Sequence, residues 1–311
     1  MAVRAGRVID PHWPRASEWL AGHHHESAET RVAVLGAPLH RASISQSRAD
    51  LAPAALRTAL FKHSVFDIEM GTDLRSIVAS DAGDLMLFGI SPEDSLDPIS
   101  GRIGELRRRA DVVIVLGGDN SITRPSVHGM GELTGLGVIT FDAHFDLREL
   151  DDGLSNGNPI RALLADGLPG PHIAQIGIQP FANSPHHAEV AKEAGINVIS
   201  RGEVERRGID EVVGETLDRM SGEVDGIYVD FDIDVLDRAF APATPGSRPG
   251  GLTPIELRRA ATLVGAHPKV VGADIVEVSP PDDVADATTM AAAHVFLGFC
   301  SGVASRRPSE G

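Results

Sequence analysis

The sequence predicts an α/β protein whose mostly parallel sheet is covered by helices on both faces. Short β-branched, apolar runs recur at residues 32–35, 76–79, 112–116, 137–141, 172–178, 197–199, 226–231 and 270–276. Segments with helical spacing lie between them, at 52–61, 98–109, 189–194, 209–220 and 254–264. An alternation repeated about eight times is what strand–helix–strand crossovers require. The run 112–116 is apolar at every position, which suits a strand buried on both sides rather than one with a wet face.

Local signals place the elements. Thr253 followed by Pro254 reads as an N-cap and first turn, with Glu256 near the positive end of that helix. Residues 1–30, with Pro11, Pro14 and the run His23, His24 and His25, read as an irregular segment and the histidines as solvated. Residues 31–304 read as one domain, and 305–311 as a short polar tail that frays. No repeat, long linker or composition break divides the chain.

Composition excludes several classes. The chain has 311 residues, 42% hydrophobic and 23% charged, the balance of a soluble globular protein. A net charge of −16 argues against nucleic acid or an anionic membrane as the main partner, since both need a basic face. Cys300 is the single cysteine, so an internal disulfide and a cysteine-rich zinc site are excluded; its apolar surroundings mark a buried, inert thiol. No run approaches ~18 apolar residues, so no membrane-spanning helix is expected. No signal pattern opens the chain, and a cytoplasmic location follows by default.

In open parallel sheets, functional groups gather beyond the C-terminal ends of the strands. Three such ends are unusually polar. The run 137–141 leads into Asp142, His144 and Asp146; the run starting at 226 leads into Asp230, Asp232 and Asp234, with Asp237 behind. Alternation along extended chain sends residues two apart to one face, so each set can converge. Carboxylates packed that closely repel one another and raise each other's pKa values unless cations lie among them. Oxygen donors with an imidazole suit Mn²⁺ or a similar hard ion. A lone pair of such aspartates would read as caps and surface acids; two sets after apolar strands do not.

The third end is Gly117, Gly118, Asp119, Asn120 and Ser121, leading into a helix that Asp119 or Ser121 can cap. It lacks the glycine series and the Gly-Lys-Ser/Thr ending of phosphate-binding loops. A fourth feature is a strand carrying Asp274 and ending in Glu277, Ser279 and Pro280.

At these segments the chain resembles the ureohydrolase superfamily of arginases, agmatinases and formiminoglutamases. The resemblance also covers Gly36-Ala37-Pro38, the stretch 47–57, the stretch 241–246 (Ala-Pro-Ala-Thr-Pro-Gly) and Gly250-Gly251-Leu252-Thr253, in order from about residue 32 to residue 300. It implies a three-layer αβα catalytic domain around a central, mostly parallel eight-stranded sheet, assembled as a homo-oligomer, a trimer or hexamer. It implies two Mn²⁺ ions per subunit. Asp142 and Asp232 would bridge them, His144 and Asp234 would complete one, and Asp146 would help hold the other. A hydroxide shared by the metals would attack the carbon of an amidine or guanidine substrate. Asp146 would carry a proton to the departing nitrogen, and Glu277 would bond the cationic head.

Departures from the family pattern carry information. Asn120 stands where most members have a histidine ligand, so one metal site is expected to be weak. Asp230 stands where members often have Ser, and Arg238 where they have Pro; Asp230 either adds charge near the metals or turns away to pair with Arg238. The loop of Asn156, Gly157, Asn158 and Arg161 resembles formiminoglutamases rather than the His-Gly of arginases and agmatinases, as does the stretch 175–184 with Asn183. A substrate with two carboxylates needs cationic or amide donors; Asn156, Asn158, Arg161 and Asn183 are the candidates, with Arg124 behind them. N-formimino-L-glutamate, of histidine catabolism, is the expected substrate. Agmatine or another guanidino compound is the alternative, and a catalytically silent metal-binding relative, motivated by Asn120 and Asn156, is the rival of another class. His128, His186 and His187 are expected to have surface roles.

Overall fold

The computed structural model describes residue 10 and residues 12–306. In chain order the strands are β1 (Arg31–Gly36), β2 (Phe66–Asp67), β3 (Thr72–Asp73), β4 (Val78–Asp84), β5 (Val112–Leu116), β6 (Leu136–Phe141), β7 (Ile173–Ile178), β8 (Asn197–Ser200), β9 (Gly226–Asp232) and β10 (Val270–Val276). The helices are α1 (Ala16–Leu20), α2 (Ala52–Leu60), α3 (Leu96–Arg107), α4 (Thr123–Met130), α5 (Pro159–Asp166), α6 (Pro185–Ala194), α7 (Arg201–Arg207), α8 (Ile209–Ser221), α9 (Pro254–Ala266) and α10 (Ala287–Ala304). β2 and β3 form a small antiparallel hairpin. The other eight strands make one sheet in the order β4-β1-β5-β10-β9-β6-β7-β8, parallel at every pairing.

The pleat sorts the strands' side chains between two helical layers. Val112, Ile114 and Leu116 of β5 and Ile227, Val229 and Phe231 of β9 point into one apolar cluster, built with α1, α2, α7, α8, α9 and α10. Val113 and Val115 point the other way, toward α3, and Val138 and Tyr228 toward α4, α5 and α6. The expected three-layer arrangement is the one observed. On the α3–α6 side the apolar surface is split in two by a polar column along β6, β9 and β10, formed by Thr140, Asp230 and Asp274, all buried.

Two expectations are corrected here. Within the segment read as irregular, α1 forms and docks: Trp19 is fully buried, and its indole N–H donates to Ile77 O at 3.0 Å. An apolar face only five residues long is too short to show as periodicity. Pro11 and residues 1–9 lie outside the described residues, as do 307–311 of the tail. Arg306, in the tail expected to fray, is instead anchored by its guanidinium to Gly265 O and Val270 O. The helix α10 passes for a membrane span by length and composition alone. It is a core helix: most of it is buried, and it packs on α9 and α2, with Phe299 edge-on to Phe231. Thr288, Thr289, His294 and Ser301 interrupt its apolar residues, so no continuous run marks it in the sequence.

Gly117 and Gly118 end β5 where backbones come close. Gly118 lies against the Leu39 backbone, 2.6 Å from its nitrogen to where a Cβ would stand, and its carbonyl accepts from Glu277 N. Gly118→Ala therefore has to push two backbones apart and is expected to cost about 1–3 kcal/mol. Gly101, within α3, has open space around it, so Gly101→Ala should gain about 0.5–1 kcal/mol through helix propensity. Urea melts of both variants check the pair; equal effects would show that crowding at Gly118 is not felt.

Candidate metal centre and pocket

The polar strand ends use one local device three times. Asp119 accepts from Ser121 N at 3.1 Å, Asp142 from His144 N at 2.6 Å, and Asp232 from Asp234 N at 2.8 Å. In each, a carboxylate oxygen caps the amide two residues on, the turn that aspartate readily makes. Convergence thus comes from turns rather than from the continued strand alternation expected. The turn after Asp142 is held from outside: Asn183 accepts from Phe145 N and donates to Ala143 O, both at 2.9 Å. Asp146 (φ 53°) and Glu277 (φ 66°) both adopt left-handed backbone, a strain that non-glycine residues accept mainly at functional sites.

Asp142, His144 and Asp234 each offer a ligand atom within 4.8 Å of the others. The His144 ring lies 2.9 Å from Asp234 and 3.5 Å from Asp142. Gly246 sits so close to Asp234 that a Cβ there would overlap the carboxylate. His144, Asp146, Asp232, Asp234 and Glu277 line a cleft of about 350 Å³ at the C-terminal ends of the strands. Asn120 is buried behind it, donating to Asp146 at 2.6 Å. Glu277 accepts from Asn120 N at 2.8 Å and from the Asn156 amide at 2.9 Å, which ties the loop after β6 to the end of β10.

Burial dominates the electrostatics. It pushes Asp142 up to about 7, with Asp234 adding to the rise, and Glu277 up to about 8, with Asp119 adding. Burial also leads in holding Asp146 and Asp232 well above the carboxylate range. Burial pulls His144 down, but Asp234 and Asp142 outweigh it and drive the imidazole to about 12. Without metal the cluster settles its charge with protons. The donor set fits divalent cations: Asp142 Oδ2 is buried with no hydrogen-bond partner, and hard oxygens with one imidazole suit manganese-like ions.

The remaining candidates divide. Asn156 and Asn183 line the cleft; Asn158 and Arg161 do not. The Asn158 amide is saturated within its own loop, accepting from Ser155 N and donating to Glu149 O and Gly153 O. Arg161 pairs with Glu149 at 2.8 Å, and Arg124 with Asp166. These cations already have carboxylate partners. Asp230 does not pair with Arg238, which bonds Ser247 instead; it lies in the polar column, in register with Asp274 of β10, and its charge is felt by Asp142, Asp146 and Asp232. Burial and then Asp274 hold it well above the usual range, and burial brings Asp274 to about 6.

The cleft adds Arg148 and Arg248, which the sequence reading passed over, and His187, for which a surface role was expected. Arg148 lies two positions beyond Asp146, its stem against Gly157, and its guanidinium has no hydrogen-bond or ion-pair partner among the described residues. That position next to a ligand motif was the available signal. The Arg248 guanidinium donates to the carbonyls of Gly246 and Ser247 and has no other partner among the described residues.

A parallel eight-stranded αβα sheet with a carboxylate-rich cation pocket at its strand ends defines a metallohydrolase-like class. The model of the arginase family matches residues 30–301, and the chain belongs to that family. It is 39% identical over 274 residues to a formimidoylglutamase of Halalkalibacterium halodurans, covering 86% of each chain. The solved formimidoylglutamase of Bacillus subtilis superposes with a TM-score of 0.89 at 32% identity, over 99% of this chain and 97% of that one. A formiminoglutamase of Trypanosoma cruzi solved with Mn²⁺ gives 0.83 at 23% identity, over 95% of this chain and all of that one, a likeness of fold.

A pH prediction follows. Asp142 and Glu277 have folded pKa values above their ordinary 3.8 and 4.5. Their contribution to stability is full below about 4 and is lost as pH climbs through about 7 to 8. His144, also raised, acts in the same direction. Metal-free protein should melt at progressively lower temperature from pH 5 to 8.5. Mn²⁺, which needs the deprotonated ligands, should stabilise most at the high end. Thermal melts after EDTA treatment, with and without MnCl₂, measure both slopes; parallel slopes would contradict the cation reading.

Proposed function

We propose that this chain is a binuclear-manganese hydrolase that cleaves N-formimino-L-glutamate to L-glutamate and formamide. The observation that carries the substrate choice is the polarity of the cleft. Its buried floor is acidic, and its exposed wall holds Arg148 and Arg248, neither with a carboxylate partner among the described residues. A substrate with a cationic amidine head and an anionic tail fits that field. Agmatine, cationic at both ends, meets repulsion at the wall.

Asp142, His144, Asp232 and Asp234 would hold one ion, and Asp142, Asp146, Asp232 and Asn120 the other. When bound, the ions supply a water of lowered pKa and neutralise the crowded carboxylates. Glu277, fixed by Asn120 N and Asn156, accepts hydrogen bonds from the protonated formimino nitrogens. Water adds to the formimino carbon, and the bond from that carbon to the glutamate nitrogen breaks. Asp146 passes the water's proton to the departing nitrogen, which leaves as an amine, and the carbon leaves as formamide. A guanidino acid with one carboxylate also suits the polarised cleft and is the second reading.

A panel of N-formimino-glutamate, agmatine, arginine, guanidinobutyrate and guanidinopropionate in manganese buffer tests the choice. Formamide release confined to the first is expected; turnover of agmatine alone would overturn the substrate, and no turnover with a single bound ion would overturn the enzyme. Arg148→Ala should raise KM for N-formimino-glutamate about ten- to a hundredfold, the worth of a charge-assisted bond, with kcat nearly unchanged. An unchanged KM would remove Arg148 from recognition. Asn120→His should tighten the weaker manganese site, read by equilibrium metal counting; unaltered affinity would place Asn120 away from the ion.

A further inference from the structure

Asn120 raises a problem of orientation. An imidazole offers a nitrogen lone pair, but a primary amide has one good donor atom, its oxygen, and an NH₂ face that repels a cation. As it stands, the amide turns Nδ2 to Asp146 Oδ2 and Oδ1 to Thr123 Oγ1, each at 2.6 Å. That is the wrong way round for a ligand. The same Thr123 hydroxyl lies 2.9 Å from Asp274 Oδ2, and a hydroxyl has one proton to give. If it goes to Asn120, Asp274 Oδ2 faces a lone pair, and Asp274 Oδ1 also has no hydrogen-bond partner. Leaving a fully buried carboxylate underbonded is costly.

Turning the amide by half a rotation reverses the chain of bonds. Asn120 Nδ2 then donates to Thr123, Thr123 donates to Asp274, and Asn120 Oδ1 faces Asp146. The amide's two orientations occupy the same space, so nothing else has to move. The turned state satisfies Asp274 but sets two oxygens against each other at Asp146, which needs positive charge between them.

We propose that Thr123 and Asp274 are positioning residues that turn the Asn120 amide, so that its oxygen faces the cation shared with Asp146. The polar column beneath the site is then what allows an asparagine to stand in for an imidazole. Cation binding and the amide turn are linked: the cation removes the oxygen–oxygen conflict, and Asp274 gains its hydrogen bond. This rests on the metal-binding part of the functional reading and not on the identity of the substrate.

The test is Mn²⁺ binding to the full chain by titration calorimetry, with free ion counted by electron paramagnetic resonance. Thr123→Val keeps the shape and removes the hydroxyl; it should weaken one of two ions about ten- to a hundredfold, as losing a ligand's supporting partner does. Thr123→Ser should keep both ions near their original affinity. In an Asn120→Asp background, where both terminal atoms are oxygen, Thr123→Val should cost little; a merely structural role would cost the same in both backgrounds. If Thr123→Val fails to fold, Thr123→Ala replaces it in the same cycle. Equal losses in the two backgrounds, or wild-type affinity in Thr123→Val, would overturn the proposal. Absence of any Mn²⁺ binding to the parent chain would overturn the functional reading with it, whereas two ions bound and unaffected would overturn this proposal alone.

Discussion

Everything near the cleft answers to one constraint: carboxylates held out of water at distances where they repel. Asp142, Asp146, Asp232, Asp234 and Glu277 are all buried, and no arrangement of neutral hydrogen-bond donors alone would hold five charges there. Without cations the chain lowers the charge by binding protons and by pairing Asp234 with His144. A cation does the same work while leaving the carboxylates ionised. The pocket's electrostatics and its ligand chemistry are therefore one property seen in two states of charge.

The parallel sheet makes this concentration possible. Adjacent strands deliver their C-terminal ends to the same edge, so short turns after β5, β6, β9 and β10 bring side chains far apart in sequence into one small volume. The stacked rings of Phe141 and Phe231, 5.3 Å apart, brace β6 and β9 on the opposite face of the sheet. Positive-φ backbone at Asp146 and Glu277 re-aims the last residue of each turn into the cleft. Burial of the strands stabilises the strain and the repulsion, a trade expected where a site is preorganised.

Much of the fold was legible because its cause is local. The run 112–116 is apolar at all five positions and is buried at all five, and Thr253 caps α9 as read, with Glu256 closing a capping box that the reading did not name. The gathering of acidic groups was legible as composition, and Asp142, His144 and Asp234 do come within 4.8 Å of one another. Side-chain direction was not. Asn158 and Arg161 read as substrate contacts, yet each is consumed by neighbours, Glu149 above all, that only the folded loop brings near. Asp230 sat in the expected triad by spacing, but the pleat puts it beside Asp274, a partner 44 positions away. Arg148 went unnoticed because a cation next to three metal-type ligands looks like a surface counter-charge until the cleft shows which way it opens.

The strand order carries a consequence for how the molecule comes into being. β10 lies between β5 and β9 near the middle of the sheet, yet it is the last strand in the described chain. During synthesis β4-β1-β5 and β9-β6-β7-β8 can each pair early, but they remain two half-sheets with bare inner edges until residues 270–276 arrive to join them. Such edges are templates for wrong partners, and the joining contacts span long stretches of chain, which slows assembly. The nascent protein is thus most vulnerable to aggregation just before its keystone strand leaves the ribosome, and chaperone dependence should concentrate in that interval.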